Sequence, residues 1–159
     1  MAKGNSIIVT PEPKGRFSEG TISGTPMPGT CMEIVPSTAA VGERFSFRAR
    51  SSTDGTQGPI IILLEDALQG KTRLDAYASG DRGFLYYPAN GEEFNMAIRD
   101  QPGTGTANLQ NIGDLLVVDG ASGMLQAAGS ALSAPFTLLE RGTVDETATY
   151  HRHCRYNAN

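Results

Sequence analysis

The sequence predicts an all-β protein: a small β-barrel or β-sandwich with an extended N-terminal arm and little helix. Three observations predict it. Gly (19) and Pro (9) together make up about one residue in six, so few stretches can sit comfortably in a helix. Residues 43–50 and 92–99 alternate apolar and polar side chains, the period of a half-buried strand. Residues 111–128 read as a β-hairpin: an apolar run Leu115-Leu116-Val117-Val118, a turn at Asp119-Gly120 with Gly123 behind it, and a second short apolar run.

Composition bounds the rest. A chain of 159 residues with 39% apolar and 19% charged residues can bury a core without staples. Its net charge of −4 argues against direct binding of nucleic acid, which needs a basic face. Ile7-Ile8-Val9 is too short for the apolar centre of a signal peptide, and no apolar run reaches membrane-spanning length. Cys31 and Cys154, in a chain expected to be made in the cytosol, are expected as free thiols.

The chain divides into an extended arm over residues 1–20 and a single β-rich domain over residues 21–159. In the arm, Ile7-Ile8-Val9 is followed by Pro11 and Pro13, which fix an extended backbone and remove two donors. Such an arm suits either the sheet edge of another chain or the surface of its own domain. Beyond Pro26 and Pro28, residues 30–35 have strand content and stop at Pro36. Residues 43–50 should place Phe45, Phe47 and Ala49 on one face and Arg44, Ser46, Arg48 and Arg50 on the other, a solvated face without interleaved aromatics. Ile60-Ile61-Ile62-Leu63-Leu64 reads as a core strand, and residues 66–70 as a helical turn ended by Gly70. Two more strands follow, over residues 83–87 and 92–99. The glycine-rich residues 100–106 lack the lysine and hydroxyl of a phosphate cradle.

The two halves of the chain echo each other. Gly29-Thr30-Cys31-Met32-Glu33-Ile34-Val35 resembles Gly113-Asp114-Leu115-Leu116-Val117-Val118, and the Pro-led strand ending Leu63-Leu64-Glu65 resembles the one ending Leu138-Leu139-Glu140. Each half is then a hairpin followed by a core strand, and two such halves could close one barrel.

Candidate chemistry is thin. Asp119-Gly120 follows an apolar strand as an aspartic-protease carboxylate does, but Asp-Gly-Ala lacks the neighbouring hydroxyl and reads as a turn. His151, His153 and Cys154 alternate on a strand with no visible partners for zinc or nucleophilic catalysis, and read as ordinary strand residues with exposed histidines. Arg50-Ser51-Ser52 touches one fragment of the dUTPase pattern, whose other motifs are missing. The expectation is no enzyme, no metal and no cofactor.

Five segments in order carry a family resemblance: residues 24–30, the strand closing on Leu63-Leu64-Glu65-Asp66, Gly91-Glu92-Glu93-Phe94, the run from Ile112 to Gly120, and Leu138-Leu139-Glu140. Together they resemble the capsid decoration, or cement, proteins of tailed bacteriophages. The resemblance implies a β-barrel or β-sandwich assembled as homotrimers on the outer capsid surface of a virion, with the major capsid protein as partner and no catalysis. Sticky and basic chain ends would supply the contacts: Ile7, Ile8, Val9, Pro11, Pro13, Lys14, Arg16 and Phe17 in the arm, Arg152 and Arg155 in the last strand. A phage tail or baseplate protein, a carbohydrate-binding β module or a small β-rich hydrolase would share the composition.

Overall fold

The computed structural model describes residues 6–35, 45–51, 58–99, 112–128, 134–140 and 150–158. They form ten strands: β1 (Arg16–Ser23), β2 (Cys31–Ile34), β3 (Ser46–Ala49), β4 (Ile61–Leu63), β5 (Arg82–Tyr87), β6 (Glu93–Ile98), β7 (Leu115–Val118), β8 (Leu125–Ala127), β9 (Phe136–Leu138) and β10 (Tyr150–Tyr156). The only helical piece among these residues is a 3-10 turn, Ala67–Gln69, capped by the Asp66 carboxylate and ended by Gly70 in the left-handed conformation.

The fold is all-β, and its strands close two barrels rather than one. Strands β1-β3-β2-β4-β5 form the first and β10-β6-β8-β7-β9 the second. The two have the same wiring. In the first, β1 runs parallel to β3 and antiparallel to β5, while β2 pairs antiparallel with β3 and β4, and β4 with β5. In the second, β6 stands for β1, β7 for β2, β8 for β3, β9 for β4 and β10 for β5, with every sense of pairing kept.

Register is kept as well. Met32 lies opposite Ala49 and Ile61 as Leu116 lies opposite Ala127 and Phe136, and Leu63 opposite Leu85 as Leu138 opposite Cys154. The connecting bonds repeat too. Gly29 N–H donates to Leu63 O at 2.7 Å and Leu63 N–H to Thr30 O at 3.0 Å; Gly113 N–H donates to Leu138 O at 2.8 Å and Leu138 N–H to Asp114 O at 2.9 Å. The echo in the sequence therefore marks β2 against β7 and β4 against β9, and the correction to the expectation is that each half closes its own barrel.

The core explains the residue pattern. Ile22, Met32, Phe47, Ile61, Leu63 and Leu85 fill the first barrel, joined by Tyr77. Cys31, Ile60, Ile62, Leu64 and Tyr86 belong instead to the cluster that holds Phe94, Met96, Ile98, Leu116, Leu125, Phe136, Leu138 and Cys154 of the second half. Strand β4 is apolar at every position because one face looks into its barrel and the other into the junction. Burying each such side chain contributes about 1.5–3 kcal/mol. Cys31 and Cys154 are buried free thiols, and burial pushes the Cys31 thiol up to about 12.

The barrels are also joined by backbone. Residues 29–31 enter between β6 and β8: Ala97 N–H donates to Gly29 O at 3.0 Å, and Cys31 N–H to Gly123 O at 2.8 Å. This is why β6 and β8 share a single register pair, Ile98 with Leu125, where β1 and β3 share three. A Cβ at Gly123 would lie 2.5 Å from Cys31 O and 2.8 Å from Thr30 Cγ2.

Two expectations are corrected here. The arm ends before residue 16, because Arg16–Ser23 is β1 and not free chain. That strand hid because Ile22 is its one large inward apolar residue, the Gly20 position being covered by the Phe47 ring, within 2.2 Å of a would-be Cβ. Phe45 does not share the core with Phe47: it precedes β3 and is 69% exposed.

Gly123→Ala should destabilise the protein by at least about 3 kcal/mol, combining a left-handed backbone with a clash against the other barrel's backbone. Gly70→Ala, at nearly the same positive φ of 71° but with nothing within 4 Å, should cost about 1 kcal/mol. Urea unfolding of the two variants measures the difference.

Candidate interaction surface

The arm lies on its own chain, along the lower edge of β6 where β8 does not reach. Asn95 N–H donates to Ile7 O at 2.8 Å and Val9 N–H to Glu93 O at 2.9 Å, with Ile8 bridged to Phe94. Glu93 N–H donates to Thr10 Oγ1 at 2.7 Å, and the Asn95 amide reaches Ser6 O at 2.7 Å. Ile7 is fully buried in the junction, and its N–H donates to both carboxylate oxygens of Glu65 at 3.1 Å. The glutamate that closes the Leu-Leu-Glu echo in the first half thus holds the start of the chain.

A second carboxylate holds the arm's other end. Glu92, 3% exposed, accepts from Lys14 N–H, from Gly15 N–H at 3.2 Å, from the Tyr86 hydroxyl at 2.8 Å and from Ala89 N–H at 2.6 Å. Burial pushes its carboxyl up, but the bonds from Ala89, Lys14, Tyr86 and Gly15 outweigh that and hold it below the usual range. Neither Glu65 nor Glu92 stood out in the sequence as an anchor. The only signal was position, each within a segment that recurs in the resemblance.

The expected contact residues therefore fall into two groups. Val9, 38% exposed, with Pro11, Pro13, Lys14, Arg16 and Phe17, lies at the surface. The Phe17 ring, 61% exposed, leans its edge on Tyr86 at a centroid distance of 4.8 Å. Arg155 is exposed and paired with Glu93 at 3.0 Å, a carboxylate it shares with His153 Nε2 at 2.9 Å. Ile7 and Arg152 are corrected: Ile7 is core, and Arg152, 6% exposed, shares the face of β10 that carries the buried Cys154. Ile8 is half-buried between the groups. Lys3, the other basic residue of the arm, lies outside the described residues.

The discounted chemistry has definite positions. His151 is not exposed: its Nε2 bonds Pro28 O at 2.7 Å across the barrel junction, burial lowers its pKa, and Nδ1 has no hydrogen-bond partner. Asp119 does have a hydroxyl, from Ser122 rather than the next residue. Its Oδ2 accepts from Ser122 Oγ at 2.6 Å, from Ser122 N–H at 3.1 Å and from Arg99 Nη1 at 2.7 Å. Burial raises its pKa, but these partners win and lower it, fixing the carboxylate as the strut of the β7–β8 turn. Among the described residues, no three His, Cys, Asp or Glu lie together as metal ligands, and no helix is long and apolar enough to cross a membrane.

No protein-family profile matches the chain, and no curated protein is significantly similar to it.

Because the Glu92 carboxyl is lowered in the folded state, its contribution is complete above the ordinary glutamate range and is lost as pH falls through the lowered value. Glu92→Gln should cost about 2 kcal/mol near neutral pH and flatten the fall in stability as the pH drops below the ordinary glutamate range. Thermal unfolding of wild type and variant across that range checks both.

Proposed function

We propose that the chain is a structural protein of a tailed-phage virion, one that binds the outer surface of the capsid as homotrimers and stabilises the shell against the pressure of packaged DNA. The partner is the major capsid protein, and no catalysis, cofactor, membrane or direct nucleic-acid contact is involved. The reading rests on the resemblance of five ordered segments to those of cement proteins, and all five serve here as structural joints. Residues 24–30 lead into the barrel junction, Glu65 and Glu92 anchor the arm, the β7–β8 hairpin closes the second barrel, and Leu138 lies in its core.

Mechanical logic supports it. A cement protein adds contacts that must break together before the shell opens, so it needs a body that does not yield. Two closed barrels without free internal edges, sharing one apolar cluster and a backbone seam, make such a body. The exposed Val9, Pro11, Pro13 and Lys14 then form a stiff surface strap rather than a loose adhesive tail, with Arg16, Phe17 and Arg155 nearby in the same role. Deleting residues 1–16 would remove Ile7 from the core, so contact has to be tested by surface substitution.

Capsids prepared without a decoration protein, from the phage that encodes this chain, should bind the purified protein to saturation in a pelleting assay and become more resistant to osmotic shock. The combined variant Val9→Asp with Lys14→Glu should bind at least about tenfold more weakly while unfolding near the wild-type temperature. Absence of saturable binding by the wild type would remove the capsid reading. Localisation to the tail by electron microscopy would replace it with a tail or baseplate role.

A further inference from the structure

The matched registers of the two barrels expose a mouth where they differ in filling. At the mouth of the second barrel, Phe94 stands inward and fully buried, opposite Cys154, and Tyr156 packs on Phe136 with ring centroids 5.4 Å apart. The equivalent positions in the first barrel are Ser18, opposite Leu85, and Tyr87, opposite Arg16. Where the second barrel has a phenyl ring the first has a hydroxymethyl group, and a cavity of about 340 Å³ opens there, lined by Arg16, Phe17, Ser18 and Tyr87.

We propose that this mouth is a socket for an aromatic side chain of a second copy of the chain, with Phe45 as the ring it receives. The template for the occupant is internal: a phenyl group is what the same fold places at this position when it fills it from within. The lining suits a ring, because Tyr87 packs on the first barrel's core and Arg16 supplies a guanidinium for a cation–π contact. Among the described phenylalanines outside the socket, Phe45 is the one held in water, at 69% exposed. Its backbone is placed beside the β1 edge, where its carbonyl accepts the Thr21 N–H at 3.1 Å. A knob and a socket on every copy give a self-complementary pair of surfaces, which closes into a ring or dimer according to the rotation between copies. The inference concerns the chain with itself and does not rest on the capsid reading.

Sedimentation equilibrium of the full-length protein tests it. The wild type should associate, and Phe45→Ala should weaken association more than about tenfold. Ser18→Phe, which copies the second barrel's plug, should do the same while unfolding at or above the wild-type temperature; Ser18→Leu serves if the phenyl group disturbs folding. Leu68→Ala, at a side chain 91% exposed elsewhere, should associate like the wild type. A monomeric wild type, or wild-type association by either Phe45→Ala or the folded Ser18 variant, overturns the proposal. Loss of capsid binding by the Ser18 variant with self-association intact also overturns it, and assigns the socket to a shell subunit.

Discussion

The constraint on which this structure depends is the entry of residues 29–31 between β6 and β8. Two backbone bonds, from Ala97 to Gly29 and from Cys31 to Gly123, replace pairing that the second barrel would otherwise make within itself. Once the first barrel is used as part of the second barrel's wall, its outer face can no longer be polar. Cys31, Ile62, Leu64 and Tyr86 turn from that face into the shared cluster. Both glycines at the seam are fixed by the same geometry. A Cβ at Gly29 would stand 2.8 Å from Ala97 N, and one at Gly123 would meet Cys31 O.

The arm is a consequence of that wedge. Holding β8 away from the lower part of β6 leaves the backbone groups of Glu93 and Asn95 without a neighbouring strand, and unpaired buried groups are costly. Residues 7–10 take the missing place, with Ile7 filling the junction beneath them. Two carboxylates then gather the N–H groups that an extended segment cannot satisfy internally, Glu65 at Ile7 and Glu92 at Lys14 and Gly15. These acids bond backbone rather than cations, so a lightly charged chain can still hold its ends firmly.

Much of this was legible in the residues. The hairpin at Asp119-Gly120 stands where the turn dipeptide puts it, with Leu116 and Val118 inward, and the uninterrupted Ile60 to Leu64 run correctly signalled burial on both faces. The echo located two equivalent strand pairs. It could not distinguish one barrel from two, because closure depends on β1 pairing with β5 and β6 with β10, contacts far apart in sequence that no local pattern reports. Strand β1 was invisible because Gly20 and Ser18 occupy inward positions and another strand's ring does the filling. Burial of His151 was hidden for a similar reason: its partner is a carbonyl, Pro28 O, which no side-chain pattern reports.

Comparison of the two barrels also separates what the fold requires from what each position was left free to do. Six matched inward pairs are apolar in both barrels: Ile22 with Ile98, Met32 with Leu116, Phe47 with Leu125, Ile61 with Phe136, Leu63 with Leu138, Leu85 with Cys154. The outward residues diverge in burial and charge. Cys31, Ile62 and Tyr86 of the first barrel correspond to Leu115, Thr137 and Arg155 of the second, a face 43% exposed at Leu115 and charged at Arg155. That divergence has a physical cause, because only one of the two outer faces is covered within the chain. Had both stayed apolar, the second would be an open hydrophobic patch on every copy, which favours indiscriminate association. A polar outer face on the second barrel removes that patch and leaves the apolar outer face of the first barrel covered within the chain.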